Sequence, residues 1–64
     1  MSDEDTLHAW RNAIRRIDSD DDFVMLIGPD MAGRLLEVGV LGVDGDDPAA
    51  IHSMPLRAKF YEFL

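Results

Sequence analysis

Gly33-Arg34-Leu35-Leu36-Glu37-Val38-Gly39-Val40-Leu41-Gly42-Val43 is the stretch on which the fold turns. Branched and long apolar side chains run through it, too few for a membrane span and too many for a surface loop. Read as an extended strand from Arg34 to Val43, it alternates side chains between two faces. Leu36, Val38, Val40 and Gly42 stand on one; Leu35, Glu37, Gly39, Leu41 and Val43 stand on the other. Because both faces are largely apolar, this is the central strand, and such a chain is expected to present a partner or self-association surface. The two interior glycines share no face, so at least one is expected to mark a bulge or a close approach of another chain segment.

Working outward, Phe23-Val-Met-Leu-Ile27 is a compact strand of β-branched and aromatic residues. Gly28-Pro-Asp-Met-Ala-Gly33 supplies the turn between the two, with Asp30 able to bond its own backbone. Beyond the central strand, Asp44-Gly-Asp-Asp-Pro48 is a second turn and Ala49–Met54 a third strand. Pro55 suits the first position of a closing helix, in which Leu56, Phe60, Phe63 and Leu64 face inward while Arg57 and Tyr61 share another side one turn apart. Upstream, Leu7, Trp10, Ile14 and Ile17 form one apolar stripe at helical spacing, with Trp10 at its centre and buried. Ser2 caps that helix, and Asp3, Glu4 and Asp5 occupy its positively polarised first turn. Asp18-Ser-Asp-Asp-Asp22 ends it as a solvated loop. The expectation is therefore a single α+β domain over residues 1–64: an N-terminal helix, a three-stranded antiparallel sheet and a short C-terminal helix.

A chain of 64 residues builds only a thin core, burying about 60% of its unfolded surface. It has no cysteine, so disulfides and thiolate chemistry are absent. A second copy or a tight partner is a natural supplement to such a core. The acidic start Met-Ser-Asp-Glu-Asp is neither signal nor transit peptide, which makes the cytoplasm the expected location. Net charge is −7, from thirteen acids against six basic residues. Seven of the acids precede Phe23, whereas from Ile51 onward Arg57 and Lys59 face Glu62 alone. An acidic chain favours basic partners and is repelled by nucleic acid at long range; its tail is mildly basic.

Phosphate-binding glycine loops, nucleophile elbows and zinc helices have no counterpart here. Asp44-Gly-Asp-Asp lacks the spacing and distal glutamate of a calcium loop and reads as a turn. His8 and His52 sit on separate elements without a third soft ligand, so neither metal nor cofactor is expected. His8, Arg11, Asn12 and Arg15 align on the polar side of the first helix, as either a solvated face or a binding stripe. Glu37, in an apolar strand, is either an acid–base group with a raised pKa or a carboxylate paired with Arg34 or Arg57. The densest constellation is His52, Arg57, Lys59 and Tyr61, with Arg34 joining across the sheet. Cations that hold a phosphate beside a titratable group that moves a 2′-hydroxyl proton are what metal-free RNA cleavage requires.

Gly33-Arg-Leu-Leu-Glu-Val-Gly-Val40, then Ile51-His-Ser53, then Arg57-Ala-Lys-Phe-Tyr61 resemble the BrnT-type toxins of the RelE/ParE-like superfamily, over roughly residues 22–62. The family's Ile-Ser-Ala-like triplet reads Ile51-His52-Ser53 here. The resemblance implies a type II toxin–antitoxin module. In it the toxin is a metal-independent mRNA endoribonuclease, acting with ribosomes or on free RNA, and a cognate antitoxin neutralises it. Catalysis would fall to His52, Arg57, Lys59 and Tyr61, with Arg34 on the substrate. The alternative is a non-enzymatic protein–protein interaction module, including a homodimer, which the acidic charge favours.

Overall fold

The computed structural model describes residues 2–19 and 22–64; Met1 and the middle of the predicted acidic loop, Asp20 and Asp21, lie outside the described residues. The chain is α+β, with an N-terminal helix and one antiparallel sheet of strand order β1-β2-β3-β4. Helix α1 spans Asp3–Arg11, and the strands are β1 Arg15–Asp18, β2 Phe23–Pro29, β3 Leu35–Leu41 and β4 Ala49–Pro55. A short 3₁₀ helix, Ala58–Phe63, follows.

The extra strand and the shorter helix have one cause. Ser2 starts α1 as expected, its Oγ accepting from the Asp5 main-chain N–H. The helix then stops at Asn12, whose side chain and main-chain N–H both close back on the His8 carbonyl. From there Ile14 N–H bonds to Ile27 O, and Arg15 through Asp18 pair antiparallel with Ile27 through Val24. Ile14 and Ile17 fit a helical stripe by spacing, but they also fit an extended segment, and the open edge of β2 offers backbone partners that a longer isolated helix would lack. The predicted stripe consequently dissolves. Leu7 and Ile14 are exposed, Trp10 is only half-buried, and Ala9 is the helix residue that enters the core.

That small side chain lets α1 lie directly on β2. A Cβ added at Gly28 would stand 2.1 Å from the Ala9 carbonyl oxygen. Gly28 and Pro29 thus belong to β2 rather than to the turn, which is confined to Asp30–Arg34 and closed by Asp30 N–H to Arg34 O. Under α1 lies the main core, where Val24, Leu26, Leu36, Val38 and Val40 meet on one face of the sheet. These buried side chains follow the alternation read from the sequence.

The opposite face carries Ile27 and Glu37, both fully buried. Across it runs the 3₁₀ helix, tied at one end by Arg57 to Glu37 on β3 and at the other by Arg15 on β1, whose guanidinium donates to the main-chain oxygens of Phe63 and Leu64. Pro55 closes β4 instead of opening the helix, and Leu56 N–H bonds to Leu35 O as the chain turns back over the sheet. With three residues per turn, Arg57 aligns with Phe60 and Phe63 rather than with Tyr61, so the predicted Arg57–Tyr61 face is not formed. A bulge does follow Gly39: Gly39 pairs with His52 and Val40 with Ala50, leaving Ile51 extra. Gly39 is also closely approached, because an added Cβ would meet the Phe23 ring at 2.8 Å. Among the described residues no helix is long and apolar enough to cross a membrane.

Candidate functional site

A carboxylate in an apolar layer must find donors or lose its charge. Glu37 finds four. Oε1 lies 2.9 Å from Arg57 Nε, 2.7 Å from Arg57 Nη2 and 2.9 Å from His52 Nε2, while Oε2 accepts from the Arg57 main-chain N–H at 3.2 Å. Strand register places two of these groups. Glu37 pairs with Met54 and Gly39 with His52, so His52 stands diagonal to Glu37 on the same face. The turn after Pro55 then lays Arg57 over both.

Burial pushes the Glu37 pKa up more than any one partner pulls it down. The hydrogen bonds from Arg57 and His52, the Arg57 main-chain N–H and the Arg57 charge together hold it below the ordinary glutamate value. Glu37 is therefore an ionised anchor, which corrects its reading as an acid–base group with a raised pKa and bears out the pairing with Arg57. Since a carboxylate only accepts, His52 carries its proton on Nε2 when neutral, and Nδ1 is left as an acceptor. The His52 and Arg57 side chains remain 35% and 42% exposed above the fully buried carboxylate.

The other expected site residues gather around this cluster in two groups. Lys59 joins through an aromatic ring, with its Nζ 5.0 Å and the Arg57 Cζ 5.3 Å from the Phe60 centroid. Tyr61 and Arg34 line a cleft of about 430 Å³ with Leu35, Pro55, Leu56 and Leu64. Arg34 does not reach Glu37. Its Nε donates to Asp30, a buried carboxylate that also accepts from the Ala32 and Arg34 main-chain N–H groups. Asp30 thus builds the turn that the sequence suggested and holds Arg34, which stays 75% exposed, at the cleft mouth.

His8 is not on a solvated stripe: it is half-buried, and Nδ1 donates to the Pro29 carbonyl at 2.8 Å. Arg15 has left the helix for β1, so the proposed polar stripe of His8, Arg11, Asn12 and Arg15 does not exist as one face. Two further positions escaped sequence reasoning. Asp5 accepts from the Met31 main-chain N–H, joining α1 to the β2–β3 turn, and this bond is the first cause lowering its pKa. Arg16 binds both Asp18 and Asp44, an exposed triad at the far end of the sheet. Neither carries a local pattern, since both depend on which loops the sheet brings together.

Acidic α1 lies across the sheet from His52 and Arg57, so the most negative segment is turned away from the cations. Comparison with protein-family models, curated proteins and solved structures returns no match for this chain.

Proposed function

We propose that the chain is the toxin of a type II toxin–antitoxin pair, a BrnT-like, RelE/ParE-like endoribonuclease working in the cytoplasm without metal and neutralised by a cognate antitoxin protein. The observation that supports this reading is the Glu37-centred cluster, which fixes the tautomer of His52 and gathers cations beside it. In the proposed reaction His52 Nδ1 takes the proton of an RNA 2′-hydroxyl. The 2′-oxygen attacks the adjacent phosphorus, the bond to the 5′-oxygen breaks, and Tyr61 protonates that leaving oxygen. A 2′,3′-cyclic phosphate and a 5′-hydroxyl result, and both side chains re-equilibrate their protons with water. The outward guanidinium edge of Arg57, with Lys59, faces the phosphate, where each well-placed donor stabilises the transition state by about 3–4 kcal/mol. Arg34 holds a neighbouring phosphate at the cleft.

A second reading has its own support. Glu37 already engages both His52 and Arg57, and Tyr61, Phe63 and Leu64 beside them are exposed. The same face then serves a protein partner or a second copy instead of RNA. Purified wild type and His52→Ala, each shown folded by circular dichroism, are incubated with RNA, with and without ribosomes. Cleavage to cyclic-phosphate ends that persists in EDTA and is lost in His52→Ala supports the ribonuclease. Folded wild-type protein that cleaves no RNA under either condition leaves the binding module.

A further inference from the structure

The outer side of α1 is unpartnered in a specific way. Leu7 is 44% exposed and stands as a ridge between two shallow grooves. One groove, of about 280 Å³, is floored by Thr6, Trp10 and Ala50; the other, of about 330 Å³, runs between α1 and Met31, itself 64% exposed. Asp3 closes the amino-terminal end of the first groove and Glu4 that of the second, and neither carboxylate has a hydrogen-bond or ion-pair partner among the described residues.

We infer that this face docks a basic amphipathic helix of a partner protein, whose apolar side chains straddle Leu7 and whose lysines or arginines reach Asp3 and Glu4. Charge selects this occupant. A second copy related by a two-fold axis would set the same acids against each other, in a chain whose net charge is already −7. A nucleic acid is repelled for the same reason. A cationic helix gains two carboxylates and fills both grooves, the arrangement in which an apolar stripe supplies affinity and flanking charges set orientation. The surface is separated from the His52–Glu37–Arg57 cluster by the whole sheet. The inference rests on the proposed partner-neutralised reading for its meaning in the cell, and it implies neutralisation without occupation of the cluster.

The test uses full-length protein and a synthetic helical peptide with leucine on one face and lysine on the other. A leucine/glutamate counterpart and a lysine peptide of scrambled, non-amphipathic order serve as controls. Expected are binding of the leucine/lysine peptide alone and amide shifts confined to α1, Met31 and Ala50. Leu7→Ser should weaken binding by about tenfold or more, and Asp3→Lys with Glu4→Lys should weaken it and flatten its salt dependence. Tyr61→Ala, on the other face, should leave it unchanged. Shifts on the 3₁₀ helix, equal binding of the leucine/glutamate or scrambled peptide, or indifference to Leu7→Ser would each overturn the inference. RNA is absent from this experiment, so it fails independently of the cleavage assay.

Discussion

Arg57 Nη2 lies 2.7 Å from Oε1 of Glu37, a carboxylate with no exposed surface on the face of the sheet opposite α1. One residue of the last loop thus neutralises the one charge in the layer beneath it. Truncating Arg57 to Ala removes two side-chain donors and leaves His52 and one main-chain N–H. Because Arg57 is itself 42% exposed, the cost falls below that of breaking a wholly buried pair, at about 2–3 kcal/mol. Urea denaturation should show this loss. A double-mutant cycle with Glu37→Gln should be strongly non-additive, since the second change matters little once the charge is gone. Additive losses would mean that the two side chains do not interact in solution.

The same pair sets an acid limb. The Glu37 pKa is lower folded than unfolded, so the ionised form contributes stability that is fully present above the ordinary glutamate range. That contribution fades as pH falls through the lower, folded value. Melting temperatures measured downward from pH 5 should therefore drop more steeply for wild type than for Glu37→Gln. Asp44 and Asp5, also lowered, add to the slope in both proteins and cancel in the comparison. Parallel curves would show that Glu37 is not the titrating anchor.

How much of this was legible in the sequence depends on whether a position's neighbours are local. The β3 alternation, the Ser2 cap, the Asp30 turn and the bulge after Gly39 are set by residues a few positions apart, and each could be read directly. The pairing of Glu37 with Arg57 was one of two alternatives, because Arg34 and Arg57 are chemically equivalent until the turn after Pro55 is known. β1 was hidden because Ile14 and Ile17 satisfy both a helical and an extended spacing. Only the open edge of β2, remote in sequence from α1, decides between them. The 3₁₀ form of the last element follows from its two tethers, to Glu37 and to Arg15, neither of which lies within it.

Contact between α1 and β2 should be intolerant of a single methyl group. Gly28→Ala would drive its Cβ into the Ala9 carbonyl, a backbone atom that moves only with the whole helix. Overpacking of this kind costs about 1–3 kcal/mol. Gly45→Ala is the control, because its Cβ would meet nothing closer than the Gly42 carbonyl oxygen at 3.4 Å. Calorimetry should find Gly28→Ala clearly destabilised and Gly45→Ala nearly unchanged. Equal melting of the two would mean that α1 does not sit flush on β2.

Arg15 tests whether the 3₁₀ helix is a separate unit. Its guanidinium donates to the main-chain oxygens of Phe63 and Leu64, while Arg57 secures the other end through Glu37. A short 3₁₀ segment has weak internal bonding, so removing one tether should fray it from that end without touching the α1-side core. In Arg15→Ala, amide exchange of Phe60 and Leu64, which bond to Arg57 O and Tyr61 O, should accelerate. Exchange at Val38 and Val40 should stay as slow as in wild type, and Glu37 should keep Arg57. If the core amides accelerate equally, the helix and sheet form one cooperative unit, and the tether supports the whole fold. If only the helix loosens and RNA cleavage falls while His52 stays in place, then Lys59 and Tyr61 act from a position that Arg15 holds across the sheet.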